Sequence, residues 1–115
     1  MAHWHDVSVL HVTVSESDHH GGRALHEAVL HAAREAGLSG GTVYRGLMGF
    51  GHDRRIHSAR ILRLSDALPV IIEIVDDAER IATFVEEIES IVVGRGMVVV
   101  SPARRLVQQA EGEDT

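Results

Sequence analysis

The chain has no cysteine and no lysine. Without cysteine it can form neither a disulfide nor a thiolate metal site, and a structural zinc site would need a rare set of histidines and carboxylates alone. No apolar run approaches the length of a membrane span. The first residues, Met1-Ala2-His3-Trp4-His5-Asp6, lack the basic stretch and apolar core of a secretory signal, so the cytoplasm is the expected location. There is no Gly-x-Ser-x-Gly elbow, and no acid, base and electrophile gather into a catalytic set. No enzymatic activity is expected. A net charge of −6 argues against general binding to nucleic acid or to an anionic membrane surface.

What is present suits one globular domain. The chain has 115 residues, 44% of them hydrophobic, enough to bury a single core. The domain is expected to span residues 1–107. The polar, acidic end, 108–115 (QQAEGEDT), is expected to be a disordered tail. All eleven basic residues are arginine, and five of them (Arg45, Arg54, Arg55, Arg60, Arg63) fall between positions 45 and 63, where Asp53 is the one acid. That segment is locally basic in an acidic chain. The arginine fork suits phosphate or carboxylate, whereas a merely solvated face would serve only to balance the acidic helices.

Periodicity predicts a strand at 7–14, a helix at 23–36 closed by Gly37, a strand at 42–50 and a strand at 70–75. A helix at 78–93 follows, with Asp76 and Glu79 spaced as a capping box, then a strand at 97–100 that could resume after Pro102 as far as Val107. The order β-α-β-β-α-β reads as an α+β, ferredoxin-like sandwich, with an antiparallel four-stranded sheet and two helices on one face. Two helices cover only one side of such a sheet, yet Val70-Ile71-Ile72 and Met97-Val98-Val99-Val100 are apolar on both sides. A water-facing side should alternate, so the second face calls for another copy of the chain. Glu73, inside an apolar strand, is expected to be a paired structural carboxylate.

Two glycine-rich turns stand out. Gly46-x-x-Gly49-x-Gly51 closes one strand, and Gly94-Arg95-Gly96 separates the last helix from the last strand. The first is not a dinucleotide fingerprint, because no helix follows to aim its N-terminus at a pyrophosphate. It could let phosphates approach backbone N–H groups, or could be a bulge and turn with no ligand, while the second reads as a C-cap and turn. The histidine pairs His3-x-His5 and His19-His20 leave a divalent-metal reading open as a rival, while His26 and His31 are spaced one residue too far apart for the metalloprotease motif.

The segment 42–76 resembles PII-type signalling proteins, in which a strand ends in Gly-Phe-Gly, a long loop follows, and a strand opens with Leu-Pro. Here these are Gly49-Phe50-Gly51 and Leu68-Pro69, with Ile72-Glu73-Ile74-Val75 beyond. The chain is more closely similar to a PII-like family of unknown function, domain-of-unknown-function family 190, over about residues 7–107. Arg45 to Gly51 and Arg55 to Ser65 carry that likeness. The resemblance implies a homotrimeric regulatory protein with its sheets turned inward. It implies a small anionic effector at the clefts between subunits, most simply an adenine nucleotide: ATP, ADP, AMP or a cyclic nucleotide.

By position the effector would meet Gly49, Phe50, Gly51 and His52, helped by Arg54, Arg55 and His57, and on the neighbouring copy Gly94, Arg95 and Gly96. A lysine follows the second turn in PII-type proteins; here that place holds Met97. Two arginines spaced by one residue also bind there, whereas Arg104 and Arg105 are adjacent and point to opposite faces of a strand, so Arg104 is the one carried over. The loop at 52–60 is expected to be mobile until a ligand orders it, and then to engage a protein partner such as a membrane transporter. The rivals are a metal-binding protein similar in fold to the CutA divalent-cation tolerance proteins, using His3, His5, His19 and His20, and a structural adaptor without ligand.

Overall fold

The computed structural model describes residues 2–60 and 67–108. Its first strand, β1 (Ala2–Ser15), buries Leu10, Val12 and Val14 on one side. Strand β1 stops where Asp18 takes the Ser15 N–H and Glu16 donates its own to the Leu68 carbonyl. A short hairpin follows, β2 (His19–His20) with β3 (Arg23–Ala24), turning through Gly21 and Gly22, both at positive φ, as a two-residue hairpin turn requires. Helix α1 (Leu25–Glu35) buries Leu25, Val29 and Ala33. It ends in a Schellman arrangement around Gly37 at φ +80°: Leu38 N–H bonds the Ala33 carbonyl and Gly37 N–H that of Arg34.

Strands β4 (Thr42–Arg45), β5 (Met48–Gly49), β6 (His57–Ser58) and β7 (Pro69–Asp76) precede helix α2 (Ala78–Val92), and β8 (Met97–Gln108) closes the described chain. The main sheet is antiparallel in the order β4-β7-β1-β8. Helix α1 lies over β7 and β4, and α2 over β1 and β7. The core between the layers is built on Leu10, Ile72, Ile74, Leu25, Ile81 and Phe84. The expected β-α-β-β-α-β sandwich is what forms.

Several boundaries differ from the periodic reading. The strand expected at 42–50 breaks after Arg45: Gly46 still donates its N–H to the Pro69 carbonyl, but Pro69 has no N–H to return, and β5 pairs with β6 instead. Residues 23–24 leave the expected helix for β3. The capping box does not form: the N-cap is Asp77, with no side-chain cap, and Asp76 turns away to accept the Asp77 and Ser39 N–H groups. Strand β8 runs straight through Pro102 and includes Gln108, since β8 is an edge strand and proline is tolerated there. Arg63 and the tail beyond Gln108 lie outside the described residues.

The registers assign the open face of the sheet: Val9, His11 and Thr13 on β1, Ile71, Glu73 and Val75 on β7, Thr42 and Tyr44 on β4, Met97, Val99 and Ser101 on β8. His11 and Glu73 sit side by side at its centre, Nε2 2.9 Å from Oε1. Glu73 is thus paired, and its partner is a histidine that the sequence offered no reason to single out. Around this pair Val9, Ile71, Val75, Met97 and Val99 give the face its apolar part, with Thr13, Thr42 and Ser101 among them.

Candidate functional site: two glycine turns at one end of the sheet

Strand β4 ends at Arg45, whose Nη2 lies 3.1 Å from Glu16 Oε1. One of the five clustered arginines is therefore already neutralised by the body of the protein. The next residues hug the start of β7. A Cβ on Gly46 would stand 2.8 Å from Pro69 Cγ, and one on Gly49 3.0 Å from the same atom. Proline and glycines fit each other, so packing accounts for two of the three glycines. It does not account for Gly51, which among the described residues has open space where a Cβ would point and has no positive φ. Gly51 is the glycine a ligand could approach.

Beyond it the chain folds back as a hairpin. Arg54 N–H bonds the Gly51 carbonyl at 3.0 Å with Arg54 itself at φ +63°, a conformation rarely taken by a side-chain-bearing residue. Its guanidinium lies 6.0 Å from the centre of the Phe50 ring. The Asp53 carboxylate accepts from Arg55 N–H and from His57 Nε2, each at 3.0 Å. His52, Arg54 and Arg55 are exposed at the tip. So are four large apolar side chains: Leu47 and Phe50, 80% and 65% accessible, with Met48 and Ile56. Sequence reasoning saw only Ile56 as an apolar exception and placed Leu47 and Met48 in a strand. The signal it could have used is the Gly46/Pro69 pair, which ends the strand early and turns those two side chains out.

The second turn begins where α2 ends. Gly94 takes φ +78° and Arg95 N–H bonds the Val92 carbonyl at 3.0 Å. The Arg95 side chain is committed: its Nη1 donates to the His19 carbonyl and holds the β2–β3 hairpin. Gly96 lies against β1, so close that an added Cβ would fall 2.1 Å from the Thr13 carbonyl oxygen. Met97, opposite Thr13, starts β8.

Both turns therefore lie at one end of the sheet, but on opposite edges. Three strand steps separate β4 from β8, about 14 Å at the usual spacing. Arg104 pairs opposite Asp6, seven residues along β8 from Met97 and thus about 23 Å from the turns. One chain brings Gly49 to His57 together, and Gly94 to Gly96 together. It does not bring the two groups to one another, nor Arg104 to either. A hollow of about 320 Å³ beside the end of α1, lined by Leu30, His31, Arg34, Leu38 and Ser39, contains none of the expected ligand residues. Among the described residues no group of three or more histidines or carboxylates could hold a metal ion; His5 is hydrogen-bonded to Asp77 instead, at 3.0 Å. No helix among them is long and apolar enough to cross a membrane.

A family model described as DUF190, "Uncharacterized ACR", matches residues 7–105. The chain belongs to the DUF190 family. It is 36% identical to a UPF0166 protein of Aquifex aeolicus over 81 residues, which is 70% of this chain and 77% of that one. It is 31% identical to a UPF0166 protein of Methanocaldococcus jannaschii over 93 residues, 81% of this chain and 85% of that one. Among solved structures it is similar to CPII of Thiomonas intermedia, a nitrogen regulatory PII-like protein bound to ADP, AMP and bicarbonate. The TM-score is 0.69 at 15% identity, covering 90% of this chain and 91% of that chain. It is similar also to a PII-like signalling protein of Thermus thermophilus, with TM-score 0.61 at 11% identity, covering 96% and 97%. The fold of this DUF190 chain is PII-like.

The loop hairpin is held by a titratable contact. The hydrogen bond from His57, then the Arg55 N–H, and then the charges of both residues outweigh slight desolvation and hold the Asp53 carboxyl below the usual aspartate value. A carboxyl depressed in the folded loop stabilises it above the ordinary aspartate value and ceases to as pH falls through the lowered one. The Arg55 amide resonance should therefore titrate with a midpoint below that of aspartate in an unfolded peptide. An NMR titration giving the unfolded-peptide midpoint would remove this contact from the account.

Proposed function

We propose that this DUF190 protein is a cytoplasmic, non-enzymatic PII-like regulatory protein. It assembles as a homotrimer and binds an adenine nucleotide in the cleft between neighbouring copies. The observation that carries this reading is the position of the two glycine turns, at the same end of the sheet but on opposite edges. Placing the β4 edge of one copy beside the β8 edge of the next joins Gly51, His52, Arg54 and Arg55 to Gly94 and Gly96 of the neighbour. Contact between two different edges, repeated about a three-fold axis, closes into a ring. The open face, which needs cover, would turn inward and enclose each His11–Glu73 hydrogen bond. The likeness to a fold that in CPII holds ADP and AMP supports the choice of ligand.

Arg95 is engaged with the His19 carbonyl and Met97 cannot donate to phosphate, so the second turn offers backbone N–H groups and little positive charge. That favours ADP or AMP over ATP. The nucleotide would reset the hairpin from Gly46 to Arg60, whose exposed Leu47, Met48, Phe50 and Ile56 form the contact with a regulated protein such as a membrane transporter. This is a switch by rearrangement of a surface segment.

Light scattering should return three times the chain mass of 12.5 kDa at micromolar concentration; a monomer would contradict the assembly. Arg55→Ala should weaken nucleotide binding tenfold or more, because a charge-assisted contact contributes about 1.5–3 kcal/mol and about 1.4 kcal/mol is a factor of ten. An unchanged dissociation constant by calorimetry would take Arg55 out of the site.

A further inference from the structure

We propose that the far end of the β1–β8 pair is an interlock between copies of this chain. Its Trp4–Leu106 face seats on the bare part of a neighbour's β8, and Arg104 meets the neighbour's acidic α2. This rests on the trimeric reading above and gives it a second contact, remote from the glycine turns.

Strand β7 accompanies β1 only to Ser8, opposite Asp76. Beyond that point Ala2 to Val7 and Ala103 to Gln108 continue as two strands alone. A two-stranded ribbon is marginal in water unless something packs on it. Trp4 stands opposite Leu106 and Arg104 opposite Asp6. The Arg104 guanidinium lies 5.1 Å from the centre of the Trp4 ring. Trp4 and Leu106 are 56% and 51% exposed, an aromatic and an aliphatic side chain side by side, half exposed beside the Arg104 guanidinium.

The complementary surface is on the same strand, nearer its start. Val98 and Val100 lie opposite Val12 and Leu10, on the helix side of the sheet. Both stay exposed, because α2 covers β1 and β7 and α1 covers β7 and β4. Arg80, Thr83 and Glu87 face α1 across a hollow with Ala36 and Leu38. By helical geometry the opposite side of α2, with Ala82 and Glu89, overlooks Val98 and Val100. The shelf is thus apolar with an acidic wall. The ribbon is apolar with a guanidinium beside it. A chain cannot fold its own ribbon back on this shelf, since both belong to one straight strand, so the occupant is a second copy. Two unlike patches meeting is again a head-to-tail contact, the kind from which a ring is built when the rotation closes.

Trp4 is the sole tryptophan, so the wild-type protein carries its own reporter. Its emission and acrylamide quenching are followed through a dilution series, with light scattering on the same samples. In the oligomer the emission should be blue-shifted and protected, moving to the exposed spectrum as the oligomer dissociates. Glu89→Arg should raise the concentration at which it dissociates tenfold or more, and Arg104→Glu in that background should restore it. An oligomer by scattering whose Trp4 is as quenchable as in the denatured chain overturns the interlock and leaves the trimer standing. A monomer at every concentration overturns both. Failure of the paired charge reversal to restore assembly overturns the Arg104–Glu89 contact.

Discussion

Gly96→Ala should lower the melting temperature by about 10 °C or more. Overpacking a fixed site costs about 1–3 kcal/mol and sometimes more, and each kcal/mol shifts a domain of this size by about 4–8 °C. The obstruction is backbone, not a side chain that can swing away: the new methyl would stand 2.1 Å from the Thr13 carbonyl oxygen and 2.9 Å from Val14 Cγ1. Relief requires the start of β8 to part from β1 where Met97 pairs with Thr13. Gly51→Ala is the natural comparison, since among the described residues nothing stands within 4 Å of the Cβ it would add and its φ is not positive. That variant should melt with the wild type. Equal thermal shifts for the two substitutions would contradict the close approach at Gly96 and the freedom at Gly51.

Asp76→Ala should cost about 2–3 kcal/mol. The carboxylate is buried and accepts N–H groups from Ser39 at 2.9 Å and Asp77 at 2.7 Å, with Arg80 Nε 3.7 Å away. It ties the α1–β4 connection to the end of β7 and the start of α2. Truncation takes a charged acceptor from two part-buried N–H groups, and a hydrogen bond to a charged group contributes about 1.5–3 kcal/mol. Burial on its own would raise this carboxyl; the Asp77 and Ser39 N–H groups and then Arg80 overcome it and hold the group below the usual aspartate value. The stability it contributes is therefore complete above that value and lost as pH falls through the lowered one. Denaturant melts at neutral pH and in acid test both points. A variant as stable as wild type at neutral pH, or one equally disadvantaged in strong acid, would contradict this role.

The architecture was legible because hydrophobic period and glycine placement agree over most of the chain. Leu25, Val29 and Ala33 recur at helical spacing, and Gly37 stops the helix where its φ demands a glycine. Apolar residues on both sides of β1, β7 and β8 announced an uncovered face, and the face is there. What stayed hidden depends on contacts far apart in sequence. Asp76 and Glu79 have capping-box spacing, but the Ser39 N–H, thirty-seven residues away, draws the Asp76 side chain elsewhere. Gly46 and Gly49 read as a phosphate loop until Pro69 is seen to fill the room they leave. Arg95 reads as a phosphate ligand until its guanidinium is found on the His19 carbonyl. The last two move residues from ligand toward scaffold and leave Gly51, His52, Arg54, Arg55 and the backbone of Gly94 and Gly96 as the proposed contacts.

The central claim is that a composite of two edges binds an adenine nucleotide. Isothermal calorimetry of the wild-type protein against ADP, AMP, ATP and a cyclic nucleotide, at a chain concentration where scattering gives the trimer, tests it most directly. The account predicts saturable heat with one nucleotide per chain, ADP or AMP binding at least as tightly as ATP, and a tenfold or greater loss on Arg55→Ala. Absence of heat from every nucleotide at millimolar ligand, in a protein shown to be trimeric, would contradict it.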